Sequence, residues 1–247
     1  MKITRLSLSS VSVLALAAGL STLCPAQQPA ANTYRVTISH VKPDMINEWL
    51  DLQKNEMVPA LKKAGVPSRT VVSTFFGNAN EYVQIQPFQK WADFDGPSPL
   101  VKALDAPGAT RLNGKLRKCL LSQNSFEQLR LVDISNVLTP PPEVTVWVRY
   151  RIAPGKMNDF IALVKSDVLP VYKKSKTFLV VNRIGPGANT NDVIMVTGYQ
   201  KYAQMDGGPF LTQQLGADGA AKLNAKFAPF RTTIEVLVRH RVDDLSF

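Results

Sequence analysis

From residue 144 onward, apolar and polar side chains alternate. Val144, Val146, Val148, Tyr150 and Ile152 are interleaved with Thr145, Trp147, Arg149 and Arg151. A period of two predicts a β-strand with unlike faces, and Pro154-Gly155 ends it. Met157, Phe160, Ile161, Val164, Val168 and Val171 then recur at helical spacing and form one apolar stripe. Pro170 lacks an amide proton, so a kink or restart is expected there. Phe178 to Ile184 and Val193 to Tyr199 read as the two strands of a hairpin whose turn begins at Gly185-Pro186-Gly187. Phe210, Leu211, Leu215, Leu223 and Phe227 mark a second helical region, broken near 216–219, and Thr233 to Val242 reads as a last strand.

The same pattern occurs once before, at a constant offset of 111 positions. Pro43, Pro59, Gln89-Lys90 and Asp95-Gly96 recur as Pro154, Pro170, Gln200-Lys201 and Asp206-Gly207, and apolar Met57-Val58 stands where Val168-Leu169 does. Gly108-Ala109, Leu112-Asn113 and Lys115 recur as Gly219-Ala220, Leu223-Asn224 and Lys226. A fixed offset over so many identities marks an internal duplication. The first copy predicts elements at Tyr34–Val41, Ile46–Ala64, Thr70–Phe76, Glu81–Phe88, Leu100–Leu120 and Phe126–Ile134. The copies span 33–137 and 143–247, and the proline-rich stretch 138–142 enters neither a helix interior nor a central strand, so it reads as the linker. Each copy has the β-α-β-β-α-β order of a ferredoxin-like unit, which places the fold in the α+β class. Two such sheets in one chain can cover each other.

Residues 1–26 read as a secretory signal peptide: Lys2 and Arg5 precede an uncharged, mostly apolar run to Leu20, and Cys24-Pro25-Ala26 offers small residues before Gln27. Residues 27–32 read as a flexible tail. An extracytoplasmic location, periplasmic or secreted, is the expectation, with no later run long enough to span a membrane. Removal of the leader leaves Cys119 as the only cysteine, expected as a small buried hydrophobe. The whole chain has 29 basic against 19 acidic residues, a net charge of +10. For an exported chain, anionic envelope surfaces fit that charge better than nucleic acid, and a solvated basic surface accounts for it as well. With two cysteines and two histidines, a disulfide scaffold and a Cys-rich zinc module are excluded, and no spacing supports a metal site. His40 and His240 fall near strand ends, where hydrogen-bonded edge residues are usual. No phosphate loop, paired-carboxylate motif or nucleophile elbow is present, and no cofactor is implied by the residues.

The element order, the unit length and the strand Glu81-Tyr82-Val83-Gln84-Ile85-Gln86-Pro87-Phe88 running into Trp91 resemble the dimeric α/β-barrel superfamily. That group includes antibiotic-biosynthesis-monooxygenase-like and NIPSNAP-like domains. The resemblance implies two tandem ferredoxin-like units that form an intrachain pseudo-dimeric α/β barrel, a monomer, with a cavity between the sheets. Haem-degrading members hold iron through a helical histidine, which neither His40 nor His240 matches. Cofactor-free oxygenases of the group use Asn, Trp and Tyr. Trp49 and Tyr82 are available, but Trp49 becomes Phe160 in the second copy, so no catalytic set carries over.

Strand parity suggests which residues face that cavity. If the uniformly apolar faces turn to the helices, the first strands leave Arg35, Thr37, Ser39, Thr145, Trp147, Arg149 and Arg151 facing it. The third strands leave Tyr82, Gln84 and Gln86, with Val193, Met195 and Thr197, and the last strand leaves Glu235, Leu237 and Arg239, with Ile234, Val236 and Val238 under helices. Arg35, Tyr82, Trp147, Arg149, Arg151, Glu235 and Arg239 are therefore the candidate ligand-binding set. One reading is an exported protein that binds a small anionic or aromatic molecule between its sheets, with a cofactor-independent oxygenase as one version of it. The alternative is a non-catalytic envelope scaffold or interaction protein with a basic surface, its interior arginines paired with Glu235 and Glu127.

Overall fold

The computed structural model describes residues 32–247, so the expected signal segment and nearly all of the expected tail lie outside the described residues. The chain runs β1 (Thr33–Val41), α1 (Ile46–Leu52), α2 (Val58–Lys63), β2 (Thr70–Phe76), β3 (Glu81–Phe88), α3 (Pro99–Lys118) and β4 (Leu120–Arg130). It repeats as β5 (Val144–Ile152), α4 (Met157–Leu163), α5 (Leu169–Lys174), β6 (Phe178–Ile184), β7 (Asp192–Tyr199), α6 (Phe210–Phe227) and β8 (Arg231–Arg241).

The eight strands close into one barrel in the order β1-β3-β2-β8-β5-β7-β6-β4, every neighbour antiparallel. Advancing this ring by four places maps each strand onto its counterpart in the other copy. β1 and β5 therefore run the same way on opposite sides, and the copies are related by a two-fold axis along the barrel. Each copy's last strand makes the seam: β4 pairs with β1 and β6, and β8 with β5 and β2. Closure removes the open edges that two separate four-stranded sheets would present. The fold is an α+β intrachain pseudo-dimeric α/β barrel, as the family resemblance implied.

Helices cover the outside of each half. Trp49 and Phe160, at equivalent positions, are almost completely buried between helices and sheet. Such aromatic side chains each contribute about 2–3 kcal/mol on burial. A third cluster lies inside the barrel and is built from strands alone, with Val36, Val83 and Phe126 from one copy meeting Trp147, Ile194 and Val196 from the other. Cys119 is buried against the helix layer, as expected, with its thiol toward the Lys115 carbonyl.

Each first helix is interrupted where proline approaches. Gln53–Met57 and Val164–Val168 form π-turns, and Pro59 and Pro170 then sit in the first turn of α2 and α5, where the missing donor costs nothing. The long helices break at equivalent residues, Asp105 (φ 63°) and Gly216 (φ 71°). Lys115 and Lys226 recur because each reaches an acid on its copy's π-turn, Glu56 at 2.8 Å and Asp167 at 2.5 Å.

Three expectations are corrected. β4 starts at Leu120 rather than Phe126, because β1 supplies a ladder partner as far as Val41, opposite Leu120, across a bulge that the polar run 122–125 does not advertise. Ile234 and Val236 are 46% and 57% exposed instead of lying under helices. The parity assignment holds on β5 and β8 but is inverted on β1, β3 and β7. There Val36, Val83, Ile194 and Val196 point into the barrel, while Tyr82, Val193 and Met195 face the helices. Both faces of these strands carry buried side chains, so an apolar face by itself does not say which layer it meets.

Candidate functional site

Period-two placement puts Trp147, Arg149 and Arg151 on the inner side of β5, and Glu235, Leu237 and Arg239 on the inner side of β8. The arginines arrive with acids of their own. Asp192 at the start of β7 is fully buried and accepts from Arg149 Nε at 2.7 Å, from a second Arg149 nitrogen at 2.6 Å, and from Arg151 Nε and Nη2. Burial pushes the Asp192 carboxyl up, but the hydrogen bonds and charges of Arg151 and Arg149 outweigh it and hold the group below the usual carboxylate range. Arg239 donates to Glu81 at 2.5 Å and to Thr74 Oγ1 at 3.2 Å, and its guanidinium lies 4.4 Å over the Trp147 ring. Burial lowers the Arg239 pKa, and Glu81 works against that shift. Trp147 Nε1 donates to Thr145 Oγ1 at 2.8 Å.

The expected acid partners are therefore corrected. Asp192 and Glu81 are the close partners; Glu235 reaches Arg149 only at 3.9 Å, and Glu127 faces the outside of the barrel. The acids that win stand at equivalent positions, each opening the third strand of its copy, where the chain turns back into the barrel mouth. With these pairs made, the interior space beside Trp147, Arg149, Glu235 and Arg239 is about 20 Å³, room for about one water molecule. No ligand of several heavy atoms fits there.

Two members of the candidate set lie elsewhere. Tyr82 packs in the helix layer, its ring 4.6 Å from that of Trp49, and burial pushes its hydroxyl pKa up. Arg35 is exposed on the outer face of β1, where it borders a second and larger space, a surface groove of about 320 Å³. One wall is aromatic. Phe88 ends β3, and Trp91 and Phe94 follow on a single 3-10 turn, with ring centroids 5.1–6.0 Å apart. Asp93 holds that turn by accepting from the Gln89 and Lys90 amides at 3.0 and 3.1 Å, bonds that lower its pKa.

The opposite wall is the β6–β7 turn of the other copy. It docks through a Glu127 amide to Pro186 carbonyl bond and a Gly185 amide to Glu127 carbonyl bond, both 2.9 Å. Gly187 has φ +99°, and a Cβ there would sit 2.4 Å from the Ser125 carbonyl, so only glycine lets the turn close on β4. The groove is thus shared between the copies. Phe88, Trp91 and Phe94 were absent from the sequence-derived set, although their three-residue spacing, running from a strand end into a turn, was available as a signal.

His40 and His240 take structural places. His40 is 3.1 Å from the Asn78 amide and 3.6 Å from Glu81, and His240 stacks with Tyr202. Among the described residues no three His, Cys, Asp or Glu side chains gather as a metal site, and no helix is long and apolar enough to cross a membrane.

No family model and no curated protein matches the sequence. Solved structures do match in shape. A protein from Lactobacillus acidophilus, provisionally named a monooxygenase, superposes with a TM-score of 0.61 at 9% identity, over 87% of this chain and 95% of that one. An anthrone oxidase-like protein gives 0.54 at 12% identity, over 85% and 91%. A heme-binding protein from Thermus thermophilus gives 0.50 at 10% identity, over 87% and 92%. At such identities the likeness shows the fold, the dimeric α/β barrel. Neither of these two spaces fits haem. The groove is lined by no His, Cys, Met or Tyr to serve as an axial ligand, and the barrel interior is too small to admit the macrocycle.

Proposed function

We propose that the chain is a non-catalytic binding protein for a small aromatic anion. It acts as a monomer outside the cytoplasm, and its ligand lies in the outer groove rather than between the sheets. The groove itself carries the reading: about 320 Å³ of space with three aromatic rings along one side and Arg35 at its edge. Aromatic walls with a few placed polar groups are the usual make-up of a small-molecule site. Among the described residues Arg35 has no ion pair, so its guanidinium is available to an acidic group. The barrel interior, with its charges paired and its space filled, serves as the frame. Export rests on the leader pattern of residues 1–26, and a mature N-terminus at Gln27 in material from the native host is its test.

The binding test is calorimetric titration with aromatic carboxylates, starting with 3-phenylpropionate, followed in parallel by tryptophan emission. Trp91 is 58% exposed, whereas Trp49 and Trp147 are buried, so a ligand in the groove changes the accessible component alone. Arg35→Ala is expected to weaken binding about fivefold, the scale of a partly exposed charge contact, and Arg149→Ala to leave it unchanged. Absence of binding across the carboxylates, or equal affinity in Arg35→Ala, refutes the proposal.

A further inference from the structure

Resting on the groove as the ligand site, we infer that the ligand carries a cationic group as well as an acidic one: the groove is built for an aromatic zwitterion of the amino-acid type. The observation is the pair Arg35 and Glu127. They stand directly opposite each other on β1 and β4, with both side chains on the outer face, and both border the groove. Directly opposed residues have Cβ atoms roughly 5 Å apart, and opposite charges in that relation ordinarily close a bridge. Here they do not. Among the described residues neither side chain makes an ion pair or a hydrogen bond, although Glu127 is half-buried. The Glu127 side chain lies over Gly185, which has no Cβ to displace it; a Cβ there would sit 2.1 Å from its carboxylate. The docked turn thus holds the acid beside the groove.

A guanidinium and a carboxylate side by side, each without a partner, match a ligand that presents a carboxylate and an ammonium on neighbouring atoms. The Phe88, Trp91 and Phe94 wall takes its ring. A simple aromatic acid would leave Glu127 facing an anion, and an aromatic amine would leave Arg35 facing a cation.

The test compares three probes that share one ring, 3-phenylpropionate, 2-phenylethylamine and L-phenylalanine, by titration of the mature chain and of Glu127→Gln. L-phenylalanine is expected to bind at least fivefold more tightly than either of the others, as charge-assisted contacts at a partly exposed site allow. Glu127→Gln is expected to erase its advantage over 3-phenylpropionate, while 3-phenylpropionate binds the variant as well or better. A thermal midpoint equal to that of the parent controls for folding. If L-phenylalanine shows no advantage, or keeps it in Glu127→Gln, the zwitterion inference falls and the aromatic-anion groove stands. If none of the three binds and Trp91 emission is unmoved, both fall.

Discussion

Replacing Asp192 by Asn removes one negative charge from between two arginines and leaves the shape of the side chain. The parent carboxylate is fully buried and takes both Arg149 and Arg151. Asn keeps one acceptor oxygen, so one arginine stays bound and the other loses its close partner. Breaking a fully buried ion pair costs about 3–5 kcal/mol as a rule. Here the arginine side chains are 28% and 42% exposed, and water recovers part of that loss. The expected cost is therefore about 2–3 kcal/mol. With an m-value of about 3 kcal/mol/M in urea, this moves the midpoint down by roughly 0.7–1 M.

The pH dependence separates this cause from a packing defect. The folded Asp192 pKa lies below its unfolded value, so its contribution is present above the unfolded pKa of about 3.9 and is lost as pH falls through the folded pKa. The gap between parent and variant should be full at about pH 6 and close progressively below about pH 4. Urea titrations of both proteins at several pH values measure it. A gap under about 0.5 kcal/mol at about pH 6, the scale of an ordinary surface substitution, or a gap that ignores pH, refutes the account of the interior as a paired ionic frame.

Trp147→Ala empties the space beneath Arg239 and orphans the Thr145 contact, so a loss of about 3–5 kcal/mol is expected by denaturation; a loss below about 1 kcal/mol would mean the barrel interior is loosely filled. Gly216→Ala meets no atom within 4 Å, so its whole cost is the backbone at φ +71° and ψ 170°, about 1–3 kcal/mol, read as a lowered urea midpoint; an unchanged midpoint would show that the break in α6 straightens without penalty.

The two-unit architecture was legible in the chain because duplication is a long-range signal that survives local ambiguity, and the family resemblance supplied the barrel. The offset of 111 positions, the element order and the proline-marked helix breaks all appear in the structure. Strand direction was less legible, because polarity sorts faces only where one side meets water. On β1 the polar set Arg35, Thr37 and Ser39 lies outside and the apolar set inside, the reverse of β5. The repeat itself held the missing information: Val36 is equivalent to Trp147 and Ile38 to Arg149, so one assignment determines the other. The groove was hidden for another reason. It joins a turn of one copy to a strand of the other, and no window of sequence contains both.

The two-fold axis governs the backbone and not the chemistry, and the groove shows where the copies part. Trp91 and Phe94 correspond to Tyr202 and Met205, while Arg35, Ser125 and Glu127 correspond to Val146, Val236 and Val238. Every polar group of the groove's floor is replaced by valine in the other half. The closing turn differs as well: residues 185–191 between β6 and β7 reach β4, whereas residues 77–80 between β2 and β3 are too few to cover β8, and Val236 stays exposed. A frame needs both halves alike, and at the interior acids, half-buried Glu81 and fully buried Asp192, they are alike. A ligand site needs only one copy, so divergence is free to remake the other. Sequence differences between equivalent positions of a duplicated barrel therefore mark the proposed groove better than the charges inside it, whose partners are already chosen.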